Sequence, residues 1–139
     1  MNSTQKLAIL YFDDDRARLD SLLRVFGGRH EVSTVANLGE ARRALNARSF
    51  DLVISGQAMA EISRGAFLRE AAEAQPYSFR VMLTSDSDAW GMLRGIKEGV
   101  IHFFIGKPWV EESMRMAVEM ALTHRMKSRA PAKLSFKFG

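Results

Sequence analysis

Three short polar clusters carry the chain's candidate chemistry: Asp13-Asp14-Asp15, Thr84-Ser85-Asp86 and Lys107-Pro108. Adjacent carboxylates attract a divalent cation, since Mg²⁺ is held by one or two carboxylates with waters and other oxygens. A hydroxyl and a lysine bind anionic oxygens, phosphoryl oxygens among them. Each cluster alone is weak evidence. An acid after a strand is commonly a helix cap, and a lone lysine is commonly a surface residue. Together they define a site only if the fold brings them to one place. Other chemistry is poorly supplied. There is no cysteine, which excludes disulfides, thiolate catalysis and cysteine metal sites. None of the histidines, His30, His102 and His124, belongs to these clusters, so no acid–base catalyst is supplied there and no enzyme activity is expected.

The elements around these clusters follow an alternation. Apolar runs at residues 7–12, 52–55, 81–84 and 103–105 are nearly continuous, as for parallel strands covered on both faces. Residues 31–35, Glu-Val-Ser-Thr-Val, alternate more and read as an edge strand. Stretches with helical periodicity lie between. Leu19, Leu22, Leu23 and Phe26 fall at i, i+3, i+4 and i+7, and Gly27-Gly28 ends that helix. Asn37 with Glu40 starts a second, over 38–48, as a capping-box pair. A third covers 66–75 before Pro76, a fourth 88–98 closed by Gly99, and a fifth 110–126. Five β-α units in succession predict an α/β fold, a doubly wound, five-stranded parallel (βα)5 sheet. Function in such sheets gathers outside the carboxyl ends of the strands. All three polar clusters sit there.

At 139 residues the chain suits one domain, expected over 1–126, with a basic tail or linker over 127–139. The net charge is +4, but from Arg125 onward there are five basic residues and no acid. Without those five, 15 basic residues face 16 acidic ones, so the body is near neutral. That argues against nucleic acid as a partner of the core domain. The one apolar run near the N-terminus is broken by Asp13 and is too short for a signal core or a membrane span, which reads as a cytoplasmic protein without membrane contact. The end, Lys-Leu-Ser-Phe-Lys-Phe-Gly, alternates like a strand and reads as the start of something further, such as an output domain after Gly139.

LAILYFDDD, FDLVISGQAM, RVMLTSDSD and FFIGKPW, in that order and spacing, resemble strands one, three, four and five of the receiver domains of two-component response regulators. The resemblance covers about residues 6–124. It implies the flavodoxin-like strand order 2-1-3-4-5. It also implies family chemistry in which an aspartate at the end of strand three takes a phosphoryl group while an acid pair holds Mg²⁺. Carried across by position, the acid pair is Asp13 and Asp14, the hydroxyl Thr84, the phosphate-binding lysine Lys107 with a cis bond to Pro108, and the aromatic switch Phe104.

The acceptor position falls on Gly56, which has no carboxylate. Ser55 should face away by strand alternation, and Asp51 lies five residues back, at the other end of the strand. The loop beyond has departed as well: Ala60 stands at the family's proline, and Ser63-Arg64 at its Asp-Gly turn. The expectation is a degenerate receiver, not phosphorylated on aspartate, acting through protein contact. With one carboxylate gone, Asp13, Asp14 and Lys107 make either a structural ion-pair cluster or a weak Mg²⁺ site, and no other cofactor is implied. An alternative is a regulatory domain that binds a small anion at Thr84 and Lys107.

A contact surface is expected on the last helix. Met114, Ala117, Val118, Ala121 and Leu122 fall on one arc as the core face. Met116, Met120 and Thr123 fall roughly opposite, with Trp109 near the same stripe. Exposed methionine and tryptophan favour an interface, and a homodimer through this helix or an output domain would cover it.

Overall fold

In the computed structural model, residues 6–56, 62, 64–84, 89–106 and 109–129 are described. The element order is β1 (Ala8–Phe12), α1 (Arg16–Phe26), β2 (Glu31–Val35), α2 (Leu38–Ala47), β3 (Leu52–Ser55), α3 (Arg64–Ala74), β4 (Phe79–Thr84), α4 (Ala89–Lys97), β5 (Phe103–Gly106) and α5 (Glu111–Arg129). The strands form one parallel sheet in the order β2-β1-β3-β4-β5. The expected doubly wound sheet is therefore present, and β2 is an edge strand as its alternation suggests.

Strand residues divide between two apolar layers because side chains alternate across the sheet. Ile9, Tyr11, Leu52, Ile54, Val81 and Leu83 pack with Leu19, Leu22 and Phe26 of α1 and Ala117, Val118 and Ala121 of α5. Leu10, Phe12, Val53 and Met82 pack with Ala41 and Leu45 of α2 and Phe67, Leu68 and Ala71 of α3. Both faces of the sheet are covered, which is why four strands read as continuous apolar runs.

Local signals end the helices where expected. Glu40 N–H donates to Asn37 Oδ1 at 2.9 Å, while Glu40 Oε1 accepts from Ala36 N–H at 3.0 Å. Gly27 N–H donates to Leu23 O at 2.8 Å. Gly99 closes α4 with φ +78°, a left-handed conformation that only glycine adopts without strain. Several elements exceed their sequence limits: α3 begins at Arg64, before the expected 66, and β5 ends at Gly106, past the expected 105. β4 begins at Phe79, so the charged Arg80 lies inside a strand expected to start at Val81. α5 runs to Arg129, past the boundary expected at 126.

The last helix corrects the expected stripe. Met116 is 55% exposed and Thr123 is exposed, its hydroxyl donating to Glu119 O at 3.2 Å. Met120 and Trp109, however, are half-buried and pack against the core of the α1/α5 layer. The reason lies in the small residues of the buried arc. Ala117 and Ala121 let α5 approach the sheet closely, so longer side chains flanking that arc reach the core around them.

Candidate functional site

β1 delivers Asp13 to the carboxyl edge of the sheet. Asp13 N–H donates to Val35 O, and Gly56 N–H donates to Phe12 O at 2.7 Å, so Gly56 lies directly beside Asp13. α1 starts immediately after. Asp15 is its N-cap, with Oδ1 accepting from Ala17 N–H at 2.9 Å and Arg18 N–H at 3.3 Å. Arg18 is thus in the first turn. Helical side chains lean toward the N-terminus, which carries the Arg18 guanidinium back over the β1–α1 loop.

The Asp13 carboxylate is fully buried, and both oxygens are occupied. Oδ2 accepts from the Tyr11 hydroxyl at 2.6 Å and from Arg18 Nε at 2.9 Å. Oδ1 accepts from Arg18 Nη2 at 3.1 Å and from Asp15 N–H at 2.9 Å. Arg18 Nη1 lies 3.1 Å from Asp15 Oδ2, and the guanidinium carbon stands 4.9 Å from the centre of the Trp109 ring. The Tyr11 hydroxyl is pushed far above its usual range by burial, with the hydrogen bond to Asp13 adding to it, so it stays protonated and donates. The bonds to Asp13 hold Arg18 still higher than an ordinary arginine.

Gly56 is part of this arrangement. A Cβ built on Gly56 would lie 2.4 Å from Asp13 Oδ2, 2.5 Å from its Cγ and 2.8 Å from its Cβ. The Asp13 side chain occupies the space that a side chain at position 56 needs. Ser55 follows Val53 on the α2/α3 face and is buried there, its hydroxyl without a hydrogen-bond partner. Asp51, at the opposite end of β3, accepts from Ala8 N–H at 2.9 Å and from Arg125 Nη1 at 3.2 Å, which ties the end of α5 to the bottom of the sheet.

The remaining sequence candidates fall as follows. Asp14 is exposed. Thr84 is buried at the end of β4, paired with Gly106 in the ladder. Phe104 is 38% exposed on β5. Lys107, with the Lys107–Pro108 bond, lies outside the described residues, as do Ala60, Ser63, Ser85, Asp86 and the tail from 130. The pairing of Lys107 with the acids and the anion pocket it would share with Thr84 are therefore expectations on undescribed residues. Sequence reasoning overlooked Arg18 and Tyr11. The available signal was an arginine in the first turn of a helix that opens after three acids, where the helix dipole disfavours a cation unless carboxylates hold it.

The acids do not fit a Mg²⁺ ion as they stand. Mg²⁺ demands near-octahedral oxygen ligands with little distortion. Both Asp13 oxygens already accept two hydrogen bonds, and a cation approaching them meets the guanidinium. Among the described residues no group of three or more His, Asp or Glu gathers as a metal cluster.

This architecture is the receiver-domain fold, the sheet order and helix placement of response-regulator receivers. No family model matches the chain. It is similar to the hydrogenase transcriptional regulatory protein HoxA of Cupriavidus necator, 29% identical over 121 residues, which cover 84% of this chain and 25% of that protein. It is also similar to the crystal structure of a response regulator receiver domain protein from Clostridium thermocellum, with a TM-score of 0.78 and 25% identity over 86% of this chain and 96% of the other. The crystal structure of an adenylate cyclase from Rhodopirellula baltica shares the fold, with a TM-score of 0.87 and 22% identity over 95% of this chain and 98% of that one. The chain thus spans about a quarter to a third of the length of the curated relatives it matches. No helix among the described residues is long and apolar enough to cross a membrane.

Proposed function

We propose that this chain is a phosphorylation-independent receiver domain, a regulatory module without enzyme activity that signals by protein contact. One observation carries the reading: the space a side chain at position 56 would need is filled by Asp13. The family resemblance puts the phosphoacceptor at Gly56. A glycine there supplies no nucleophile, and the neighbours offer no replacement, since Ser55 faces the other layer and Asp51 is engaged at the far end of β3. Without an acyl phosphate, input must come from a partner with different affinity for two states of the domain, or the domain is held in one state.

Acetyl phosphate or beryllofluoride with Mg²⁺ should leave the intact mass and the amide spectrum unchanged. An adduct mapped to residues 50–60 would defeat the proposal.

The contact surface is proposed at the β5 edge of the sheet. Leu93 and Ile96 of α4, Phe104 of β5 and Met116 of α5 are large apolar residues left exposed on the elements at that edge. Their partner is either a second copy or an output domain, and HoxA, four times the length matched here, is consistent with an attached domain. Substituting Phe104→Lys together with Met116→Glu keeps net charge and removes two apolar contacts. Sedimentation velocity over a concentration series should show association of the wild-type chain at least tenfold tighter than that of the variant. Stability should stay within about 0.5 kcal/mol, as for exposed substitutions. A wild-type chain that is monomeric across the series excludes the symmetric dimer.

A further inference from the structure

We propose that Arg18 is the resident cation of the acid pocket: its guanidinium permanently takes the role that a dissociable divalent ion plays beside such carboxylates, and Gly56 leaves Asp13 the room to engage it. This rests on the phosphorylation-independent reading and goes beyond it, because it says what holds the buried Asp13 carboxylate in the absence of phosphate chemistry.

Three independent features of the site support it. The first is the coordination of Asp13. A buried carboxylate must be compensated, and here the compensation is a two-point fork, Nε on Oδ2 and Nη2 on Oδ1, which only arginine provides. The second is the immobilisation of Arg18. Nη1 is held by Asp15, the helix cap, and Trp109 covers the guanidinium carbon at 4.9 Å. The side chain is only 29% exposed, so the fork is held and partly dehydrated. The third is space. Any β-carbon at position 56 would run into the Cβ, Cγ and Oδ2 of Asp13, so the carboxylate position that suits Arg18 excludes a third side chain from the pocket.

The consequences differ from those of a bound metal. A tethered guanidinium does not dissociate, so the charge of the pocket is independent of the Mg²⁺ concentration. It is also linked to the β5–α5 junction through Trp109, so a change in the pocket reaches the start of α5 directly. Arg18 is a positioning residue in this scheme: it fixes Asp13 and Trp109 and reacts with nothing.

The test is the variant Arg18→Met, which keeps an aliphatic stem against Trp109 and removes the charge. Mn²⁺ serves as the probe, followed by water-proton relaxation and by calorimetry. The wild-type chain should show no saturable Mn²⁺ binding below about 10 mM, whereas Arg18→Met should bind at least tenfold more tightly, because Asp13 and Asp15 then lack their cation. Adding Mn²⁺ should raise the melting temperature of Arg18→Met and leave that of the wild type unmoved. Arg18→Lys keeps the positive charge and should gain no metal binding. If Arg18→Met does not fold without metal, a Mn²⁺ titration followed by circular dichroism gives the same reading: recovery of the fold supports the proposal, and failure to recover overturns it. Wild-type Mn²⁺ binding as tight as that of Arg18→Met also overturns it. That result without a phosphoryl adduct sinks this inference alone; an adduct sinks the functional reading beneath it.

Discussion

Gly56→Asp should destabilise the folded chain by about 3–5 kcal/mol and should not by itself create a phosphoacceptor. The new Cβ would sit 2.8 Å from the Asp13 Cβ. Rotating Asp13 away relieves the contacts with its Cγ and Oδ2 but leaves that one, so the backbone must also shift. Overpacking of this kind costs about 1–3 kcal/mol. Rotation further strands the Tyr11 hydroxyl and breaks the Arg18 fork, and an orphaned buried donor costs about 1–3 kcal/mol. A second carboxylate in a fully buried pocket adds like-charge repulsion.

Gly56→Ala separates these effects, since it brings the steric conflict without the charge, and should cost about 1–3 kcal/mol. The excess cost of Gly56→Asp over Gly56→Ala depends on pH. Repulsion and burial raise the folded-state pKa of the new carboxyl above its unfolded value. The folded state then binds more protons than the unfolded one, so the excess is largest at neutral pH and shrinks as pH falls through the raised pKa. Asp13→Gly introduced together with Gly56→Asp should recover part of the loss, giving a favourable coupling in a double-mutant cycle. Urea unfolding at several pH values measures all of this. Gly56→Asp as stable as the wild type at neutral pH would mean that Asp13 does not occupy the space beside Gly56.

The second large effect is expected far from the site. Arg80→Ala should cost about 3–5 kcal/mol and lower the melting temperature by roughly 10 °C or more. Arg80 is buried in β4, where its guanidinium donates to Val100 O at 2.8 Å, Ser78 O at 2.9 Å, Ser78 Oγ at 3.0 Å and Gly99 O at 3.0 Å, with a longer contact to Gln75 O at 3.3 Å. It thereby fastens the α3–β4 turn to the α4–β5 turn. Burial pulls its pKa down, but an arginine starts so high that it stays charged. Its backbone N–H meanwhile donates to His102 Nδ1 at 2.9 Å, on a ring that burial holds near pKa 4 and therefore neutral at pH 7. Truncation leaves several buried carbonyls without donors and opens a void. Arg80→Lys should recover only part of the loss, because one ammonium cannot reach carbonyls on both turns. Thermal and urea unfolding decide the matter, and a loss below about 1 kcal/mol for Arg80→Ala would refute the fastening role. Mn²⁺ and phosphoryl-donor responses should match the wild type, since Arg80 lies at the opposite end of the sheet from Asp13.

The two arginines mark the boundary of what was legible. The sequence by itself determined the five β-α units, the edge position of β2, the caps at Asn37 and Gly99 and the placing of Asp13 at a strand end. Each of these rests on periodicity or on spacing of a few residues along the chain. It also determined that no carboxylate stands at position 56. Tertiary structure decided what the charged residues do. The apolar run begins only at residue 81, and Arg80 joins the strand ahead of it because carbonyls from two other loops surround it. Asp15 looked like part of an acid cluster, and it caps α1 while bracing Arg18. Trp109 and Met120 looked free to meet a partner, and the close seat of α5 at Ala117 and Ala121 folds them into the core. Arg18 finds Asp13 only when α1 turns back over β1, and Gly56 bears on Asp13 only when strands some forty residues apart in sequence align. Burial then makes these pairings strong, because a charge taken out of water must find its partner within the fold.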